Sequence, residues 1–193
     1  MTNVVTPNRK VIKSYLDKWK TLENYTLQEL SLSLLFNKLC PKNNKIEEVL
    51  LKVSALNDFY STNIFDTYTV SKHILDCRID QDLKSGCKKL VNKIALVTMK
   101  KRTINFYSFA SKYCSHHKPE VYPIYDSYVE KMLMYLKRND KFASYKKSEL
   151  KTYYRFIEII NEFKKFYNLD QFSLRELDIY LWLAGKKYFP NKY

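Results

Sequence analysis

Only 2 Gly and 5 Pro stand among the 193 residues of this chain, so very few positions can take the left-handed backbone that tight turns need. Sandwiches, barrels and Rossmann folds spend glycines freely, and no Gly-rich phosphate loop can be written from this sequence. Helices joined by polar loops are what remains. Hydrophobic residues make up 46%, including 17 Tyr and 11 Phe, so the helices have a core to build around. The expected architecture is all-α: one compact, two-lobed helical domain over residues 1–193.

Apolar residues at helical spacing place the first helix at about 9–23, through Val11, Tyr15, Leu16 and Trp19. Thr26-Leu-Gln-Glu29 reads as a capping box opening a second helix that runs to Pro41. Val49, Val53 and Leu56 mark a helix over 46–60, and Tyr68, Val70 and Ile74 one over 65–77, with the turn between them at Ser61-Thr-Asn63. Asp80 or Asp82 would cap a helix reaching about Val97, after which the basic break Lys100-Lys-Arg102 leads into the helix that holds Lys112. Further helices are expected at about 125–136 and 148–167. A last one is capped by the Ser173-Leu-Arg-Glu176 box and closed by Gly185.

Charge narrows the partner. With 34 Lys+Arg against 20 Asp+Glu the formal net charge is +14, which favours a polyanion, because every neutralised phosphate releases counterions. There is no apolar run of about 18 residues and no signal-peptide pattern, so a membrane partner is not expected and the cytoplasm is the expected compartment. Cys40, Cys77, Cys87 and Cys114 match no zinc or cluster spacing, and His73, His116 and His117 do not complete one. Neither metal nor cofactor is expected, and the cysteines read as thiols.

Chemistry is best placed between Ser108 and Val129, where Lys112 sits in an otherwise core-like helix and Asp126 opens the next. An amine and a carboxylate brought together from neighbouring helix ends could attack a sugar C1′ and stabilise the positive charge that develops there. The plain alternative makes Lys112 a phosphate contact and Asp126 a helix cap. Lys100, Lys101, Arg102 and Lys118 flank the Lys112 helix and would meet a phosphate backbone, with His116 and His117 beside them. Tyr122, Tyr125, Asn57 and Tyr60 are candidates for lining a base pocket.

Ala110-Ser-Lys112 followed by Tyr122-Pro-Ile-Tyr-Asp126-Ser-Tyr-Val129 resembles the helix-hairpin-helix DNA glycosylase superfamily, which includes endonuclease III and the 8-oxoguanine glycosylases. The resemblance covers about residues 98–130, within a hairpin and catalytic segment of about 84–136. Where that superfamily carries a Gly-x-Gly hairpin turn, this chain has Met99-Lys-Lys-Arg-Thr-Ile-Asn105, so Lys100 to Arg102 would supply the phosphate contact. The resemblance implies a helix-hairpin-helix-like element, with Lys112 as nucleophile and Asp126 as activator or cation stabiliser. It also implies a monomeric enzyme that flips a damaged or modified base out of double-stranded DNA and cleaves its glycosidic bond. Such an enzyme would serve repair or defence against phage with modified DNA. The other reading of the same charge and helices is a non-enzymatic nucleic-acid-binding module.

Overall fold

A computed structural model describes residues 4–100 and 102–190. In chain order its elements are α1 (Arg9–Lys20), α2 (Glu23–Leu34), α3 (Ile46–Tyr60), α4 (Thr67–Asp76), α5 (Asp80–Ser85), α6 (Leu90–Ala95), β1 (Leu96–Met99), β2 (Arg102–Asn105), α7 (Tyr107–His117), α8 (Ser127–Asp140), α9 (Tyr153–Phe166) and α10 (Leu174–Tyr188). A π-helical stretch, Leu35–Leu39, extends α2, and a 3-10 turn, Lys147–Lys151, precedes α9. The fold is mostly α, as the scarcity of glycine requires. Among the described residues no helix is long and apolar enough to cross a membrane.

The chain divides into two compact units, residues 24–122 and residues 4–23 with 123–190. In the 24–122 unit α7 is the central helix. Every residue from Phe109 to Ser115 is buried, so α7 is covered on all its faces, by α6, α3 and the π-helical stretch. Val49, Val53 and Leu56 of α3 and Val70 and Ile74 of α4 form the stripes that pack the α3–α4 pair. Ser61 and Asn63 take positive φ in the turn between these helices. There the Asn57 side-chain oxygen accepts hydrogen bonds from the Ile64 amide (2.9 Å) and the Thr62 hydroxyl (2.8 Å).

In the terminal unit α10 is the hub, with α8 and α1 packed on it. Tyr15 meets Tyr180 edge to face at 5.3 Å, and Trp19 meets Trp182 at 6.0 Å. The Ser173–Glu176 capping box is present as expected. Gly185, expected as a C-terminal cap, instead lies inside α10. A Cβ there would come 2.6 Å from Tyr128 Cβ and 2.7 Å from the Tyr128 carbonyl oxygen, so the glycine is what lets α10 approach α8.

Three further departures have local causes. Helix α2 starts at Glu23, which puts Thr26 inside the helix rather than at its cap. The helix expected from Asp80 to about Val97 is split, because Gly86 takes φ +68 and ends α5. The hairpin ahead of α7 is made of strands: β1 and β2 pair antiparallel with Val97 opposite Ile104 and Met99 opposite Arg102. Val97, Thr98, Thr103 and Ile104 are β-branched and alternate across the ribbon, and Val97 is buried while Thr98 is exposed. The segment that suggested a helix-hairpin-helix is thus helix, β-ribbon, helix.

Candidate functional site

Lys112 lies in the middle of α7, not at its N-terminal turn, and is only 4% exposed. Its ammonium donates to Ser108 Oγ at 2.6 Å, one turn back on the same helix, and stands 5.3 Å from the centre of the Tyr60 ring. Tyr60 comes from the last turn of α3, and its hydroxyl is 3.0 Å from His116 Nε2. The structure therefore brings together three of the residues singled out from sequence: Lys112, Tyr60 and His116. Asn57, one turn before Tyr60, is committed to the α3–α4 turn, where its Nδ2 also donates to the Ile64 carbonyl at 3.1 Å.

Asp126 belongs to the other unit. It is the N-cap of α8, with extended backbone, and one of its oxygens accepts from the Tyr128 and Val129 amides, both at 2.9 Å. The segment leading to it is pinned from below. Both oxygens of buried Asp178 accept from the Ile124 amide, at 3.1 and 3.0 Å, and the Tyr153 hydroxyl donates to the Pro123 carbonyl at 2.7 Å. Tyr125 is buried edge-on to Phe156 and donates to Glu130 at 2.5 Å.

Tyr122 is fully buried in the 24–122 unit, its hydroxyl 3.3 Å from the carbonyls of Asp82 and Cys87, so it fills the core. Lys118 is the C-cap residue of α7 and donates to the Lys84 carbonyl at 3.0 Å. Lys100 stands exposed at the β1–β2 turn with φ +53, and Arg102, also exposed, opens β2. Lys101 falls outside the described residues. An open depression of about 510 Å³ runs along α1, lined by Arg9, Lys10, Lys13, Ser14 and Asp17. It contains none of the residues expected to bind a base.

Sequence reasoning missed a second buried lysine. Lys52 of α3 is fully buried, and its ammonium donates to the Cys40 carbonyl (3.0 Å), the Lys42 carbonyl (2.8 Å) and Asn43 Oδ1 (2.7 Å). The Tyr113 hydroxyl donates to the same Asn43 oxygen at 2.6 Å, and Asp80 holds the other end of Asn43 through its amide and its Nδ2. His117 completes the cluster, with Nε2 3.3 Å from Asn43 Oδ1 and 3.5 Å from Lys52 Nζ. Burial pushes Lys52 down to about 8, against the pull of Asp80. Burial first, then the charges of Lys52 and His116, push His117 down to about 3. His117 is therefore neutral at physiological pH and offers no cation to a phosphate. The sequence signal for Lys52 was present: it sits between Val49 and Val53 on the buried stripe of α3.

All four cysteines are free thiols, Cys40 and Cys114 buried. Burial raises the Cys114 and Cys77 thiols, which disfavours thiolate chemistry at either. Among the described residues no group of three or more His, Cys, Asp or Glu is placed to hold a metal ion.

Residues 11–121 match the HI_0787_N family of N-terminal domains. That match ends within two residues of the junction between the units, so it takes in almost all of the unit that carries Lys112 and Lys52. An uncharacterized protein of Haemophilus influenzae (strain ATCC 51907 / DSM 11121 / KW20 / Rd) is 48% identical over 147 residues, which are 76% of this chain and 70% of the relative. No solved structure matches the chain. With more than half its length matched and with this identity to a relative, the chain belongs to the HI_0787_N N-terminal domain family.

Proposed function

We propose that the protein is a DNA glycosylase that removes a damaged or modified base from double-stranded DNA, in repair or in defence against phage with modified DNA. The observation that carries this reading is the state of Lys112: a lysine 4% exposed, in the middle of a helix buried on every face, held by Ser108 Oγ and an aromatic face. Lysines are rarely buried without a reason, and amine nucleophiles need a fixed position and a dry setting. The resemblance of Ala110–Val129 to the helix-hairpin-helix glycosylases gives the same lysine the same task. In its unprotonated form the Lys112 amine attacks C1′ of the flipped nucleotide. A nitrogen–carbon bond forms as the glycosidic bond breaks, and the base leaves with the bonding electrons and takes up a proton. Opening of the sugar gives a Schiff base, from which β-elimination of the 3′ phosphate can follow. The resemblance gives Asp126 the task of stabilising the positive charge that develops on the sugar. Lys100, Lys101 and Arg102 meet the phosphates, and the enzyme acts as a cytoplasmic monomer.

One observation favours a second reading, a non-enzymatic nucleic-acid-binding module. One oxygen of the Asp126 carboxylate already serves the Tyr128 and Val129 amides as a helix cap. The two readings part on substitution. The protein and its Lys112→Gln and Asp126→Asn variants are incubated with duplexes and phage genomic DNAs carrying different modified bases. Abasic sites are scored by alkali cleavage and covalent adducts by borohydride trapping. A glycosylase gives abasic sites that fall at least a hundredfold in both variants while DNA affinity stays within about twofold, and an adduct that disappears in Lys112→Gln. A binding module gives none with any DNA, and salt-sensitive binding in all three proteins.

A further inference from the structure

Phe65 is 98% exposed, and Tyr68, three residues on, is 58% exposed. A phenylalanine ring left almost wholly in water forfeits the burial that ordinarily keeps the residue in a folded chain. The ring stands on an ordered corner. Ile64 before it is buried and its amide is tied to Asn57, and Asp66 after it caps α4 through the Thr69 amide (2.9 Å) and hydroxyl (2.7 Å). Those bonds from Thr69 hold the Asp66 carboxyl below its ordinary range, and the charge of Lys100 adds a smaller pull in the same direction. Helix α4 also packs against β1.

Two exposed cations are presented on the β-ribbon, Lys100 at the β1–β2 turn and Arg102 at the start of β2. Two-residue hairpin turns take Gly or Asn where φ is positive, yet here Lys100 adopts φ +53. A cation is presented at the apex at a conformational cost. Lys72, exposed and one turn beyond Tyr68 on α4, extends the basic surface.

We infer that Phe65 and Tyr68, with Lys100 and Arg102, form a stacking platform for an unpaired base of single-stranded DNA, the rings taking the base and the two cations the phosphates beside it. Bases stack on exposed aromatic faces without regard to sequence, and a basic rim adds the salt-dependent part of the binding. The charge of the turn selects a polyanion over an apolar partner such as a second copy of this chain. The inference rests on the nucleic-acid part of the reading above and on none of its base-removal chemistry.

The test uses single-stranded oligothymidylate and a fully paired duplex. In Phe65→Trp, oligothymidylate is expected to quench fluorescence beyond the change seen in the wild type, whose own Trp19 and Trp182 supply the baseline. Phe65→Ala is expected to weaken oligothymidylate binding about tenfold, with circular dichroism unchanged and duplex affinity within twofold. No added quenching together with unchanged oligothymidylate affinity overturns the platform. An equal loss on duplex overturns the unpaired base. A change in sedimentation of Phe65→Ala with oligothymidylate affinity kept reassigns the face to self-association. If the protein makes abasic sites but Phe65→Trp is not quenched, the platform falls and the glycosylase stands. Quenching without abasic sites is the reverse.

Discussion

His117 is held neutral by burial and by the Lys52 ammonium 3.5 Å away, with its pKa down near 3 against 6.5 in an unfolded chain. Below about 6.5 the unfolded chain binds a proton that the folded one refuses, so the stability present above that pH is lost as the pH falls toward 3. One proton sets a slope of at most about 1.4 kcal/mol per pH unit. Urea midpoints compared at neutral pH and near pH 5 are expected to fall less in His117→Gln than in the wild type; parallel declines would remove His117 as the acid-sensitive group. At this scale the sequence was half legible. Lys112 stood out because Ala110, Ser111, Tyr113 and Cys114 around it read as core, and all are buried. Lys52 did not, since periodicity treats a lysine as solvated, and the partners that make its burial tolerable arrive from far along the chain. Tyr113 and Asn43 are 70 positions apart, and no local pattern announces that they share a hydrogen bond. His116 and His117 were expected to face phosphate for the same reason: nothing near them in sequence shows that Tyr60, Phe36 and Lys52 would enclose them.

Between elements, the close approach of α8 and α10 depends on one missing methyl group. Alanine in place of Gly185 would gain about 1 kcal/mol of helix propensity. Its Cβ, however, would meet the Tyr128 carbonyl oxygen at 2.7 Å, and backbone cannot swing aside as a side chain can. Overpacking of this kind costs roughly 1–3 kcal/mol. Gly185→Ala is therefore expected to lower the urea midpoint followed by far-UV circular dichroism, and a raised midpoint would show that the helices can part without loss. Continuous apolar stripes were legible and one of the two capping boxes was: α3 lies where its stripe puts it and α10 opens on Ser173, whereas Thr26 lies inside α2. The β-ribbon was not, because it is short and its turn carries Lys and Arg where a hairpin turn is usually recognised by glycine or asparagine. The β-branched residues Val97, Thr98, Thr103 and Ile104 were the signal that could have found it.

For the whole molecule the count of 34 Lys+Arg overstates the cations a polyanion can meet, because several of them are already engaged. Arg155 is held by Glu149, Glu158 and Glu162, Lys93 by Asp82, and Lys52 is sealed in the core. Composition counts these equally with Lys100, and only the fold separates them. It also separates the residues read as one catalytic segment: 84–136 runs across the junction at Tyr122, so Lys112 and Asp126 belong to different compact units. Each phosphate contact contributes about −0.9 to the slope of log K against log salt on duplex DNA. Replacing Lys100 by Ala is expected to reduce that slope by about 1 in an anisotropy titration across salt concentrations. Replacing Arg155 by Ala removes the same formal charge but is expected to leave the slope unchanged, since its guanidinium has three carboxylates to answer. Equal changes in the two variants would mean that the protein attracts DNA by its overall charge, and that the β-ribbon turn has no phosphate of its own.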